Sequence, residues 1–298
     1  MAWEYEGLFD VLPAEGTDLL GDFWKAEATA ARVGSMAYRT RTTKAGSRLE
    51  AEVFPIFGRR MEQTARAARE RITPERQAQL NTRRSKRRLI LLLENNFRAE
   101  EDVHVTLTYA GREPDYQRAK KDVRNFLNRI RRLREKRGLP ELKYIYAIGR
   151  DAGQRIHCHV VMNGGIGRDE LERNWKIGNE RTEHKRGVAN TYRLQEYGSG
   201  LAGMANYLYR QNERARDAGE RAGLHMWCAS KNLKKPKERT SDTKMTTRKV
   251  KMIATNFNQM AREIMERVYP GYSLEDCRVL FSDIVDGVYI RCVMRRRQ

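Results

Sequence analysis

The clearest pattern in the chain begins at residue 103. Val103, Val105, Leu107 and Tyr109 alternate with His104, Thr106 and Thr108, the two-residue period of a half-buried strand. The period then lengthens. Tyr116, Ala119, Val123, Phe126, Leu127, Ile130 and Leu133 recur at three- and four-residue steps. That spacing predicts an amphipathic helix with Asp115 as its N-cap, stopped by Gly138 and Pro140. Lys143–Ile148 and Ile156–Met162 read as strands, and the turn at Ala152-Gly153 makes them an antiparallel hairpin. Residues 168–175 suggest a short helix, while 176–199 are polar and show no period. Leu201–Arg214 reads as a helix that buries Leu201, Met204, Ala205 and Leu208. His225–Ser230 reads as a strand and 243–269 as helical. Val279–Val285 and Val288–Met294 alternate around Asp286-Gly287 as a closing hairpin.

Ahead of this region, Ala37–Pro55 forms a hairpin turning at Ala45-Gly46. Residues 60–98, rich in arginine, alanine, leucine and glutamate, read as helix. Strands interleaved with helices and linked by hairpins give an α+β fold with a central antiparallel sheet flanked by helices. The expected organisation is an N-terminal extension over residues 1–98, packed on a main domain over residues 99–298.

Charge narrows the function. Lysine and arginine number 59 against 39 acids, a net charge of +20 with a pI near 10.0. Such an excess favours polyanions, and nucleic acid is the default partner because binding phosphate releases counterions. At 40% hydrophobic the chain can bury a core, which argues against wholesale disorder. Cys158, Cys228, Cys277 and Cys292 form no CxxC pair, so neither a zinc knuckle nor a disulfide framework is indicated, and reduced thiols of a cytoplasm are expected. The N-terminus has no basic, then apolar, signal pattern, and the longest apolar run, Leu89 to Leu93, is far too short to span a bilayer. The location expected is the cytoplasm, with no membrane partner. No G-x-x-x-x-G-K-[ST] loop is present, so no helicase motor is expected.

The residues with chemistry begin at His157-Cys158-His159. In a strand, residues i and i+2 share a face, so both imidazoles project together while Cys158 turns into the core. Two imidazoles on one rigid strand make a two-point metal anchor whose remaining positions a carboxylate, water and substrate oxygen would fill. On the helix after residue 201, Tyr207 and Tyr209 fall on opposite flanks of the apolar stripe, and periodicity does not choose between them. Tyr207 and Arg210 stand at i and i+3, side by side. The basic run at 83–88 suits a DNA backbone or a solvated helix face equally, and with those at 131–137, 231–237 and 295–297 it is placed to track a DNA backbone.

In that order these segments resemble the HUH replication initiators, the Rep proteins of small phages and rolling-circle plasmids. The first motif is Val105-Thr106-Leu107-Thr108-Tyr109. The second is His157-Cys158-His159. The third is Tyr207-Leu208-Tyr209-Arg210 on a helix. Ser230-Lys231-Asn232-Leu233-Lys234-Lys235-Pro236 and the final hairpin are similar to a bacterial and phage branch. The resemblance is strongest over residues 90–240. It implies an HUH, RRM-like endonuclease fold for residues 99–298 in a bacterial host cell. It also implies a tyrosine nucleophile, with family spacing selecting Tyr207, and a divalent ion, Mg²⁺ or Mn²⁺, on His157 and His159. The chain departs from the pattern twice. Arg210 stands where a lysine is usual; it keeps the charge but does not readily cycle a proton. The strand before the histidine pair has no glutamate for the third ligand position; Asp151, equally readable as a turn residue, or Gln154 is the substitute.

The implied activity is nicking of single-stranded DNA at an origin hairpin. It leaves a 5′-phosphotyrosine and a free 3′-hydroxyl for a host polymerase, and a host helicase supplies any unwinding. Thr106 and Thr108 would line the sheet beside the metal, and Lys231, Lys234 and Lys235 would track the DNA. The same chemistry serves a single-tyrosine transposase or a relaxase. Outside it stand a water-using metallohydrolase and a basic nucleic-acid-binding protein without catalysis.

Overall fold

A computed structural model describes residues 36–56, 74–111, 114–150, 155–177, 184–196, 200–217, 225–281 and 287–297. In chain order the elements are β1 (Ala37–Ala45), β2 (Arg48–Ile56), α1 (Pro74–Asn96), β3 (Val103–Leu107), α2 (Tyr116–Lys136), β4 (Tyr144–Arg150), β5 (Ile156–Met162), α3 (Arg168–Arg173), β6 (Lys176–Ile177), β7 (His184–Lys185), β8 (Ala189–Arg193), α4 (Ala202–Asp217), β9 (Cys228–Ala229), β10 (Lys237–Ser241), α5 (Thr247–Thr255), α6 (Phe257–Val268), β11 (Tyr272–Phe281) and β12 (Val288–Arg296). The class is α+β, with two antiparallel five-stranded sheets. The chain divides into two compact units, Met1–Arg84 with Pro236–Gln298, and Ser85–Lys235.

The first unit holds the sheet β10-β1-β2-β12-β11. In it the closing hairpin pairs with the N-terminal hairpin and not with the strands after residue 103. Alternation explains the pairing. Leu49, Ala51 and Val53 of β2 lie opposite Met294, Cys292 and Ile290 of β12, which makes one apolar face. Val250, Ile253, Ile264 and Met265 of α5 and α6 share its core. Glu50 and Glu52 alternate with those residues and are buried, neutralised by Arg48 at 2.9 Å and Arg41 at 2.6 Å. The helix expected over 243–269 is two helices separated at Asn256, and the hairpin's first strand starts at Tyr272.

The second unit is built on the sheet β8-β3-β5-β4-β9. The alternation of β3 and β5 sorts its two faces. Val103, Val105, Leu107, Ile156, Cys158, Val160 and Met162 pack with Val123, Phe126, Leu127 and Ile130 of α2. The Asp115 carboxylate accepts from the Arg118 amide at 2.7 Å, capping α2 as its spacing predicts. On the other face, Ile145, Ala147 and Val161 pack with Leu89, Leu92 and Leu93 of α1 and Ala205, Leu208 and Tyr209 of α4. Residues 85–98 of the expected extension thus belong to this core. The aperiodic stretch 176–199 supplies β8, which pairs along β3 from Ala189↔Leu107 to Arg193↔Val103. The strand expected over 225–230 shortens to Cys228–Ala229. Beside β8, a Cβ on Gly187 would stand 2.1 Å from the Thr108 carbonyl oxygen, so this backbone approach requires glycine.

Candidate active site

His157 and His159 stand on the face of β5 opposite Cys158, buried to 7% and 1% exposure, with ring centroids 4.7 Å apart. Each ring is oriented through Nδ1. His157 Nδ1 lies 3.2 Å from the Arg155 carbonyl oxygen, which can only accept, so Nδ1 carries a hydrogen and Nε2 is left to bind. His159 Nδ1 lies 3.2 Å from Thr106 Oγ1 and 3.1 Å from His104 Nε2, both on β3. The register that sets Thr106 directly opposite His159 makes these contacts possible. A tautomer with the His159 hydrogen on Nδ1 donates to one of these two partners and turns an Nε2 lone pair to the other side.

That side faces α4. The Tyr207 hydroxyl lies 3.3 Å from His159 Nε2, with ring centroids 4.8 Å apart, and the Tyr207 ring meets His104 edge-on at 5.9 Å. The structure separates the two tyrosines that helical period leaves equivalent. Tyr207 is 41% exposed, whereas Tyr209 is 1% exposed within the α1–sheet core. Arg210 is exposed on the same helix.

Burial sets the charge state. Desolvation pushes His104 down to about 4, and burial, with the neighbouring His104 and His157, holds His159 well below its ordinary value. Both are neutral at pH 7, which is the state that donates a lone pair to a metal. The donors therefore suit a divalent ion on the Nε2 atoms of His157 and His159. Among the described residues no group of three or more His, Cys, Asp or Glu converges as a metal shell. Asp151 and Gln154, the expected third ligands, lie outside the described residues.

Thr106 stands at the imidazoles. Thr108 does not: its hydroxyl and its amide both donate to the Val188 carbonyl at 2.9 Å, so it closes the loop after β3. Lys231, Lys234 and Lys235 have exposed side chains. Asn95 and Asn96 donate to the Lys234 carbonyl at 2.9 Å, which ties this run to the end of α1.

Sequence reasoning placed His104 on the Thr106 face but assigned it no role. The signal was present in the alternation of β3; its pairing partner was not.

Residues 102–208 match the family model of the replication-associated protein of ORF2 type. The match covers just over a third of the chain, from the start of β3 through Tyr207, and supports a replication initiator. No curated protein and no solved structure matches the chain. No described helix is long and apolar enough to cross a membrane.

Proposed function

We propose that this chain initiates DNA replication by nicking single-stranded DNA at an origin hairpin, with Tyr207 as nucleophile. The observation that carries the reading is the hydroxyl of the partly exposed Tyr207 beside His159 Nε2, on a strand that also presents His157. The family match supports it by spanning the first two segments and reaching Tyr207 and Leu208 of the third.

The phenol oxygen attacks the scissile phosphorus, the bond from phosphorus to the 3′ oxygen breaks, and that oxygen leaves as a 3′-hydroxyl bearing the phenol's proton. The 5′ phosphate stays esterified to Tyr207, so one phosphodiester replaces another and a later 3′-hydroxyl can reverse the exchange without ATP. Thr106 and His104 hold the His159 ring at Nδ1, and its Nε2, which meets the phenol oxygen without the ion, is the atom that would turn to the ion. Arg210 offsets phosphate charge as the DNA strand approaches. A divalent ion, Mg²⁺ or Mn²⁺, held by His157 and His159 with Asp151 or Gln154, supplies Lewis-acid stabilisation of the phosphate when bound. Lys231, Lys234 and Lys235 attract the DNA backbone. A host polymerase extends the 3′-hydroxyl and a host helicase opens the duplex.

The test mixes the protein with Mn²⁺ and a varied pool of hairpin-bearing single-stranded DNA, then resolves it on a denaturing gel. A covalent protein–DNA band is expected. It should vanish in Tyr207→Phe and in His157→Ala/His159→Ala and persist in Tyr209→Phe, provided that variant still folds. Nicks without an adduct that survive Tyr207→Phe would point instead to a water-using hydrolase. Binding without cleavage, across many sequences and with both metals, would favour the non-catalytic binding protein. Cleavage at two flanking element ends, in place of one origin, would favour a transposase.

A further inference from the structure

Two basic runs that are far apart in sequence, one ending at Arg88 and the other beginning at Lys231, meet on the second unit. Between them lies an open groove of about 540 Å³. Arg88, Lys231 and Lys235 line it together with Ser85, His225 and Trp227, and among the described residues no aspartate or glutamate does. Trp227 is half-buried and fixed. Its Nε1 donates to Ser85 Oγ at 3.0 Å, and the Arg88 guanidinium sits 5.9 Å from the ring centroid. The cationic rim is fixed too, because Asn95 and Asn96 grip the Lys234 carbonyl and Asn96 Oδ1 accepts from the Lys234 amide at 2.7 Å. The groove flanks β9, at one edge of the sheet, and contains none of Tyr207, Arg210, Thr106, His157 and His159; of the residues given a role in nicking it shares only the backbone-tracking Lys231 and Lys235.

We propose that this groove is a second binding site for single-stranded DNA, in which an unpaired base stacks at Trp227 while Arg88, Lys231 and Lys235 hold the flanking phosphates. The proposal rests on the reading that the chain acts on single-stranded DNA. Its chemistry is specific to an unpaired strand. An indole offers a flat apolar face to a base, cations offer charge to phosphates, and only a strand with free bases uses both at once. A base inside a duplex is already stacked on its neighbours. An acidic peptide would use the cations and leave the indole without a partner.

The experiment measures equilibrium binding of a fluorescent oligothymidylate of about eight nucleotides to the full chain, in chelator so that no cleavage occurs. Wild type should bind it, and Trp227→Ala should bind roughly 5- to 150-fold more weakly, the span expected for one base–aromatic stack. Trp227→Phe should retain most of the affinity. Replacing one thymine by 5-iodouracil and irradiating should crosslink the DNA to the peptide bearing Trp227. Arg88→Ala/Lys231→Ala, which leaves the indole in place, should weaken binding even if Trp227→Ala fails to fold. Unchanged affinity in a folded Trp227→Ala, crosslinks confined to other segments, or displacement by polyglutamate as efficient as by unlabelled oligonucleotide would each overturn the proposal. Because binding is read without metal, failure here leaves the Tyr207 adduct untouched, and failure of the adduct leaves this binding untouched.

Discussion

At the scale of single residues, the histidines couple the site to the stability of the fold. His104 is ordinarily half-protonated at pH 6.5, and burial lowers this to about 4 in the folded chain. Between those pH values the unfolded chain binds more protons than the folded one, so stability must fall as pH falls. One group contributes at most about 1.4 kcal/mol per pH unit, or roughly 3 kcal/mol in all. Burial acts on His159 in the same direction. Urea unfolding in chelator at pH 7 and pH 4.5 should show this loss, and His104→Gln, which cannot titrate, should show a smaller one. Equal losses in the two proteins would mean that His104 is solvated. The sequence made His157 and His159 legible because strand period alone puts i and i+2 on one face. It did not reveal that His104 meets His159, because that contact depends on the register between β3 and β5, which no local pattern encodes. The tyrosines divide the same way. Their spacing was legible, but the burial of Tyr209 follows from Leu89, Leu92 and Leu93 of α1 packing against the same face.

At the scale of elements, α2 was readable almost in full, since its cap, stripe and stop all lie within its own residues. What secures it was not. Asp122 is 1% exposed and pairs with Arg186 at 2.6 Å, and the Arg186 guanidinium lies 5.5 Å from the centre of the Trp175 ring. The partner comes from a stretch with no period, beside the glycine that admits the Thr108 backbone. Removing one member of a buried pair leaves the other charge without compensation, at a cost of about 3–5 kcal/mol. Asp122→Ala should therefore lower the denaturation midpoint strongly. Asp122→Ala/Arg186→Met, which removes both charges and keeps an apolar side chain under Trp175, should recover much of that loss. A double variant as unstable as the sum of the two single variants would show that the residues act independently.

At the scale of the whole molecule, local pattern identified most of the helices and strands but not their grouping. Both hairpins of the first unit were readable, one from its turn at Ala45-Gly46 and the other from alternation. Their union through β2 and β12 joins segments more than two hundred residues apart, and only the match of their apolar faces selects it. Charge was the opposite case, since the excess of +20 is plain in composition, yet composition does not say which cations meet phosphate. Salt dependence distinguishes a diffuse field from localised contacts. For single strands, each phosphate neutralised contributes about 0.7 to the slope of log K against log salt. If Arg88, Lys231 and Lys235 each neutralise one, replacing all three with alanine should make the slope shallower by about 2. Trp227→Ala should lower affinity at every salt concentration while leaving the slope nearly unchanged, because stacking releases no counterions. Titrations with oligothymidylate between about 50 and 200 mM salt check both. A triple variant with the wild-type slope would place the neutralising charges elsewhere on the molecule, and a Trp227→Ala variant with a shallower slope would mean that the indole acts by positioning Arg88 and not by stacking.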